Sequence, residues 1–459
     1  MTSSGAAAPA GAADRPLRVI HCVGFYFPDS TGGTEVYVRD LVAALTRHAV
    51  DSSIIAATDG AYDRYSWNGV DVVRYPTDAT AGSPGLRPRS VHARRTAFQD
   101  IVEAARPDLF HLHSWTSGAG LPHLRQAARL GIPCVVTMHV PSALCMRGTM
   151  LLNDRKPCDG LIDDRRCGVC WALDRGMPRP LAPLVAFLPK WDVTDSLVSR
   201  LSQRAASLLS ARANAETKAR QLRSMATLSE RIVAPSEWVR AALAANAIPP
   251  EKILVSGQAA SDAFADRRPR PLGGADRREI VIGFLGRLEP YKGADMLVRA
   301  LARLPADLPV LLRIAGVGSD AAYARRLEAA AARDPRIRLV GLVEHEQVPQ
   351  FLRDIDVLAV PSRYMETGPI VVLEARALGI PVMGADLGGI SERVHDGVDG
   401  WLLPFDDPAP WAEAIREAAT DRAKVARLSG NMHRARSNDD VASEMAALYR
   451  QIVSARAHA

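Results

Sequence analysis

The chain is expected to fold as an α/β protein with two doubly wound parallel-sheet domains facing a central cleft. Two observations predict this. Short apolar runs rich in β-branched residues alternate with helical stretches along nearly the whole sequence, as in sheets covered by helices on both faces. A polar stretch rich in Pro and Gly, Ser261 to Glu279, divides these runs into two series. Domains of this kind in tandem place the carboxyl ends of their strands, and the loops that follow, on either side of one cleft. A length of 459 residues is sufficient for both cores.

In the first series the expected strands are LRVIHCV (Leu17 to Val23), SSIIAAT, VDVVRYP, DLFHLHS (Asp108 to Ser114), PCVVTMH (Pro133 to His139), RIVAPS (Arg231 to Ser236) and ILVSGQ. The second series comprises IVIGFLG (Ile280 to Gly286), VLLRIAG, IRLVGLV, DVLAVPS (Asp356 to Ser362), PVMGAD and GWLLP. This gives a disordered tail over 1–15, a first domain over 16–260, a linker over 261–279, a second domain over 280–436 and a C-terminal helix over 437–459 that packs back toward the first domain. Two segments interrupt the first domain. Residues 141–176 hold most of the cysteines, and 196–226 read as one long amphipathic helix with Arg200, Arg204, Arg212, Lys218, Arg220 and Arg223 against a single acid, Glu216. Such a helix either lies on an anionic membrane surface or packs on its own domain with a solvated basic face.

Composition narrows the function classes. A hydrophobic content of 47% with 24% charged residues is ordinary for a soluble globular protein, and no apolar window is long enough for a transmembrane helix. The N-terminus has no basic start followed by an apolar core, so a signal peptide is not expected and the location is expected to be cytoplasmic, with the inner face of the membrane as an attachment site. A net charge of +6 without a run of Lys/Arg gives no support for nucleic acid as a partner. Lysine is scarce in this chain, so Lys292, in a loop where arginine is the default, stands out.

Four loops at expected strand ends carry candidate chemistry. After the first strand, GFYFPDSTGGTEVYVRDLVAAL places Gly32 and Gly33 before a helix, where backbone can approach a phosphate closely at a helix N-terminus. It is not the G-x-G-x-x-G of dinucleotide binders, which argues against an oxidoreductase. The second loop, GRLEPYKGADMLVRAL, carries Arg287 and Lys292, a fork and a point charge that suit a diphosphate, against the alternative of solvated surface cations. The third, PSRYMETGPIVVLEARALG, sets Glu366 in the loop and Glu374 a turn inside a helix whose N-terminus is a natural anion site. Alone, Glu374 could merely complement the helix dipole. The fourth, ADLGGISERVHDGVDGWLLP, has another Gly-Gly before a short helix.

In the second half these motifs resemble the catalytic half of glycosyltransferase family 4, retaining sugar-nucleotide-dependent enzymes of the GT-B fold, in which two Rossmann-like domains face a cleft. The resemblance is carried in order by GRLEPYKG, RIAGVGSD, RLVGLVEHEQVPQFLRDIDVLAVPS and ETGPIVVLEARALGIPVMGADLGGISERVHDGVDGWLLP, with the family's glutamate, seven residues and glutamate falling on Glu366 and Glu374. TGGTEVYVRDLVAAL, PDLFHLHSW and TMH fit more loosely in the first half. The resemblance implies that Glu366 contacts the donor sugar, that Glu374 holds the ribose hydroxyls, and that N–H groups around Gly368, Ile370 and Val371 cradle the phosphates. It implies further that Arg287 and Lys292 stabilise the departing diphosphate in place of a metal, so that no cofactor is required, and that His139 lies near sugar and acceptor. His111 is expected to be packed and His113 to face the cleft. The implied partners are a nucleotide-sugar donor and a glycan, lipid-linked or small-molecule acceptor, in surface polysaccharide or glycoconjugate biosynthesis. Two features depart from the family pattern: Thr367-Gly368-Pro369 stands where many members have Gly-Phe-Gly, and SGQAASD replaces the usual Asn-Gly between the domains. A non-catalytic glycan- or nucleotide-binding protein on the same frame is the alternative, and intact Glu366, Arg287 and Lys292 argue against it.

Cys145, Cys158, Cys167 and Cys170 cluster in the insertion, ending in C-x-x-C. In a cytoplasmic protein this pattern suggests a structural zinc site more than disulfides, with reduced thiols or a redox pair as the alternative. Cys22 and Cys134 lie in apolar strands and read as buried core residues.

Overall fold

The computed structural model describes residues 15–30, 32–76, 91–191, 201–264, 279–432 and 436–458, with the side chains of residues 91–97 outside that description. The first domain contains the strands Leu17–Val23 (β1), Val50–Thr58 (β2), Asp63–Trp67 (β3), Val70–Pro76 (β4), Leu109–Leu112 (β5) and Cys134–Thr137 (β6). A short ribbon of Leu151–Leu152 (β7) and Lys156–Pro157 (β8) follows in the insertion, then Arg231–Ala234 (β9) and Ile253–Val255 (β10). The second domain contains Ile280–Leu285 (β11), Val310–Ala315 (β12), Ile337–Gly341 (β13), Val357–Val360 (β14), Val382–Ala385 (β15) and Gly400–Leu403 (β16).

The sheets run β10-β9-β6-β5-β1-β2-β4-β3 and β13-β12-β11-β14-β15-β16. All pairings in both are parallel except β3 with β4. Covered strands are mostly apolar along their length: the last five residues of β1 and all of β5, β6 and β14 are buried, with His21, His111 and Thr137 as the polar exceptions. Strand β3, DRYSW, lies outside the sequence expectation because an edge strand needs no apolar run. The strand order changes direction beside β1 in one sheet and β11 in the other, and ligand loops gather at the carboxyl ends of such switch points.

The long basic helix expected over 196–226 is corrected. Residues 192–200 lie outside the described residues, and the rest forms two helices, Gln203–Leu209 and Ala211–Leu228. They meet at buried Ser210, whose hydroxyl donates back to the carbonyl of Ala206 at 2.7 Å and competes with the regular helix ladder. Two of the cations turn inward. Arg212 donates to Asp164 at 2.9 and 2.7 Å and to the carbonyl of Leu188, and Lys218 donates to the carbonyl of Ser142. The expected tail, except Arg15, and residues 265–278 of the expected linker lie outside the described residues. Among those described, no helix is long and apolar enough to cross a membrane.

The C-terminal helix, Asn438–Ala457, lies on the first domain. Ser437 and Asp440 form a capping box at its start, and Val441, Met445, Leu448 and Ile452 pack with Val36, Val38, Leu41 and Leu45 of the helix Gly33–Leu45. Arg456 pairs with Glu230 at 2.9 Å, and the hydroxyl of Tyr449 lies 2.6 Å from His111 Nδ1 in the core. Tyr449→Phe removes that bond and leaves a buried imidazole nitrogen without its partner. The expected result is a loss of about 1–3 kcal/mol in denaturant-induced unfolding with an unchanged slope; stability equal to wild type contradicts it.

Candidate active site

The third loop forms the floor of the cleft. It leaves buried β14 at Pro361 and enters the helix Ile370–Ala377, with Pro369 as its N-cap and Gly379, at φ 70°, just beyond its end. Within the loop, Glu366 Oε1 accepts from Lys292 Nζ and Ser362 Oγ, each at 2.8 Å, and the Tyr364 hydroxyl donates to Oε2. Lys292 also donates to the Tyr364 hydroxyl at 3.0 Å. The glutamate is thus fixed by an ammonium and two hydroxyls before any ligand arrives. Gly293 allows this approach: its φ is 77°, and a Cβ there would stand 2.0 Å from the carbonyl oxygen of Pro361. Arg287, exposed on the same loop as Lys292, sits 5.8 Å from the Tyr291 ring centre and has no ion-pair partner among the described residues.

The fourth loop supports the third from behind. Gly389 N–H donates to the carbonyl of Glu366 at 2.7 Å, and a Cβ on Gly388, at φ 56°, would come within 2.8 Å of Met365 Cα. Its Gly-Gly pair therefore serves close packing of backbone on backbone. Glu392, in the same loop, accepts from the amides of Glu237 and Trp238 at 2.8 and 2.7 Å, and so caps a first-domain helix N-terminus.

The first domain supplies the opposite wall. Gly32 caps the helix Gly33–Leu45, and a Cβ on Gly33 would lie 3.6 Å from Ile370 Cδ1. The N-termini of these two helices therefore approach across the cleft, each with a positive dipole end, and at the first of them the Glu35 carboxylate accepts from the backbone at Gly32 and at Glu35 itself. Glu35, in the first turn, accepts from Ser30 Oγ at 2.8 Å; burial holds its carboxyl above the usual range. An open cavity of about 640 Å³ lies between the domains, lined by Arg39, Asp40 and Trp67 from one side and His345, Glu346 and Gln350 from the other. Arg39 and Asp40 also act on Glu374: burial pushes its carboxyl up to about 7, with Asp40 adding to the shift and Arg39 opposing it.

His139 is buried at the end of β6. Its carbonyl accepts from Thr367 Oγ1 at 2.6 Å, and its ring centre lies 4.7 Å from that of Tyr37. Gln258 Nε2 is 3.3 Å from His139 Nδ1, His139 Nε2 is 3.3 Å from His113 Nδ1, and His113 Nε2 is 3.0 Å from His21 Nδ1. With the Gln258 amide donating, each imidazole carries its proton on Nε2, and the chain ends at His21 Nε2, which has no partner among the described residues. Burial lowers His139 and His21 to about 3 and His113 and His111 well below their ordinary value, so all four are neutral at pH 7. The expectation that His113 faces the cleft is corrected: it is fully buried behind His139, because β5 lies inside the sheet. His111 is packed between Thr137 Oγ1 at 2.7 Å and Tyr449.

Among the described residues, no three of the clustered cysteines bring their sulfurs within 4.8 Å of one another. Among the described residues, the only group of three or more metal-ligating side chains with atoms within 4.8 Å of one another is His21, His111 and His113, of which His21 and His113 bond to each other, His111 bonds to Thr137 and Tyr449, and none meets a carboxylate. Cys170 turns away into backbone contacts, 3.5 Å from the Leu151 carbonyl and 3.4 Å from the Asn153 amide. Burial pushes Cys167 up to about 12 and raises Cys158, and nearby Cys145 adds to both shifts. All six cysteines are free.

Several residues at the site were not singled out by sequence reasoning. Tyr364 and Ser362 hold Glu366, Trp238 Nε1 donates to its carbonyl at 2.8 Å, and Arg393 donates to the carbonyls of Gly389 and Pro235 at 3.1 and 3.0 Å, tying the domains together. Gln258 packs directly on the third loop: a Cβ on Gly368 would stand 1.9 Å from its Oε1, which has no partner among the described residues. The departure SGQAASD contains this residue and was the one signal that could have found it.

Comparison with known proteins matches the same two halves. Residues 32–257 match the glycosyl transferase 4-like domain and residues 269–434 match glycosyl transferases group 1. A D-inositol 3-phosphate glycosyltransferase of Stackebrandtia nassauensis is 41% identical over 161 residues, 33% of this chain and 36% of that protein. The chain thus aligns with only about a third of the length of this relative. Another of the same name from Segniliparus rotundus is 27% identical over 435 residues, 91% of this chain and 84% of that one. Among solved structures, HepE of Anabaena, in complex with UDP and glucose, superposes with a TM-score of 0.60 at 17% identity over 96% of this chain and 100% of that one. Sucrose-phosphate synthase of Thermosynechococcus elongatus superposes with a TM-score of 0.62 at 19% identity over 96% of this chain and 100% of that one. With its 4-like domain first, its group 1 domain second and the GT-B fold joining them, the chain belongs to the family 4-type glycosyltransferases.

Proposed function

We propose that this protein is a metal-independent, configuration-retaining glycosyltransferase that moves a hexosyl or related sugar from a nucleoside-diphosphate sugar to a glycan, lipid-linked or small-molecule acceptor. The observation that carries the reading is the convergence of two helix N-termini, at Gly33 and Ile370, beside Arg287 and Lys292. Together they make a positive setting for a diphosphate that gains charge as it leaves. In this reading the N–H groups at Gly368, Ile370 and Val371 take the phosphate oxygens, with the backbone at Gly32 and Gly33 opposite. The cavity beside Arg39, Asp40 and His345 takes the nucleoside, with Glu374 on its ribose.

Glu366, held by Lys292, Ser362 and Tyr364, accepts from hydroxyls of the donor sugar. As the glycosidic bond breaks, Lys292 and Arg287 take up the charge developing on the diphosphate. The acceptor hydroxyl then attacks the anomeric carbon on the face the diphosphate leaves, and a phosphate oxygen receives its proton. Neutral His139, with its tautomer set through Gln258 and His113, borders the sugar without exchanging a proton near pH 7. UDP-sugars are the first donors to test, because solved neighbours on this fold hold UDP and UDP-glucose.

Thermal stabilisation by UDP, GDP, ADP, CDP and dTDP is expected to single out one diphosphate in the wild type and to vanish in Lys292→Ala. Turnover with the matching sugar nucleotide should fall by about a hundredfold or more in that variant. Unchanged turnover sinks the assignment of Lys292, and stabilisation without turnover of any donor favours the non-catalytic binding reading.

Glu374 gives a pH signature. Its folded carboxyl, at about 7, lies above the unfolded value of 4.5, so the folded state binds more protons between these limits and stability falls as pH rises through that window. The group's share of this loss reaches about 3 kcal/mol at 1.36 kcal/mol per pKa unit. Unfolding measured across that pH range should show Glu374→Gln gaining on the wild type as pH rises; a constant difference between the two rejects the shift.

A further inference from the structure

The chain after the cysteine segment carries an apolar face that transfer chemistry does not use. Residues Ala182–Phe187 form a 3-10 helix, whose three-residue repeat aligns Leu181, Leu184 and Phe187 on one side and Ala182, Val185 and Leu188 on the other. The inner row packs with Trp171, Ala172 and Ala211. The outer row is open: Leu181 is 51%, Leu184 59% and Phe187 81% exposed. A turn covered on one side by its own domain has no use for a second apolar row unless something else covers it.

The surrounding charge indicates what that is. Between residues 175 and 191 the sequence has Arg175, Arg179 and Lys190 and no Asp or Glu. Arg179, Lys190 and Arg204 are exposed, with Arg204 reaching the carbonyl of Gly176 at 3.5 Å, although Lys190 is shared with Asp164 at 3.5 Å and Glu216 at 3.3 Å. Residues 175–228 together hold nine Lys/Arg against three Asp/Glu, a surplus equal to the net charge of +6 of the whole chain. An exposed apolar row flanked along the chain by exposed cations, with no acid between residues 175 and 191, matches a bilayer interface with anionic headgroups. A second copy of the chain fits less well, since a two-fold contact here would set Arg179, Lys190 and Arg204 of both copies against each other.

We propose that Leu181, Leu184 and Phe187 insert into the surface of an anionic lipid bilayer, with Arg179, Lys190 and Arg204 at headgroup level. This deepens the transferase reading and rests on its lipid-linked acceptor. The preceding cysteine segment, on which the 3-10 helix packs through Trp171 and Ala172, also accepts a hydrogen bond from Met365 N–H at the carbonyl of Thr149, 3.0 Å away, so the segment that carries the apolar row contacts the loop that holds Glu366. Docking through this row also moves the membrane contact away from the Ala211–Leu228 helix, where Arg212 and Lys218 are turned inward.

The test is co-sedimentation of the full chain with vesicles of phosphatidylcholine alone and of equal parts phosphatidylcholine and phosphatidylglycerol, using wild type and the exposed double variant Leu184→Ser/Phe187→Ser. Wild type is expected to bind the anionic vesicles and to lose at least about tenfold in affinity in the variant, with thermal stabilisation by the cognate diphosphate retained. Equal binding by both proteins overturns the proposal. So does wild type that binds neither vesicle, or a variant that only converts a wild-type dimer to monomer. If vesicle binding follows the patch while no diphosphate stabilises either protein, docking stands and the transferase reading fails separately.

Discussion

The loop from Pro361 to Pro369 is the junction on which the rest of the molecule depends. Its consecutive residues Met365, Glu366 and Thr367 bond to Thr149, Trp238 and His139, three separate pieces of the first domain. Each such bond contributes about 1 kcal/mol, but together they fix where the second domain stands against the first. The Glu366 side chain is held from within its own domain by Lys292, Ser362 and Tyr364. One short loop therefore sets both the relative position of the domains and the direction of the site's carboxylate.

The interior behind this junction is polar yet uncharged. Four histidines, His21, His111, His113 and His139, cluster at the carboxyl ends of the central strands β1, β5 and β6, all neutral because burial disfavours their cations. Hydrogen bonding relieves most of the desolvation cost of their ring nitrogens. It also links His139 to the core through His113 and His21, while His111, in ring contact with His113, bonds Tyr449 of the C-terminal helix. Glu374 is buried alongside Arg39 and Asp40 of the first domain, so its charge depends on the cleft being closed around it.

Much of this was legible in the sequence, for identifiable reasons. Continuous apolar runs such as IVIGFLG announce strands buried on both faces, and Pro369 and Gly379 punctuate a helix whatever surrounds it. The motifs around Arg287, Lys292, Glu366 and Glu374 keep fixed local spacing, because a loop that presents charge at the end of a strand needs particular residues at particular distances along the chain. The two helices of 203–228 were read as one because Ser210 is a tolerable helix residue; only its burial and its bond to Ala206 make a bend there.

By itself, then, the sequence determined the alternation of strands and helices, the division into two halves and the chemistry of each loop, since these follow from propensity, periodicity and local turns. Tertiary structure alone decided which loops meet. Gln258 touches Gly368, Tyr364 closes on Glu366 and the Glu392 carboxylate caps a helix of the other domain, through contacts between residues far apart in the chain. It also decided that Arg212 and Lys218 face inward and that Leu184 and Phe187 face out. Periodicity shows that a segment has an apolar face, but what that face meets is fixed by packing against distant parts of the chain.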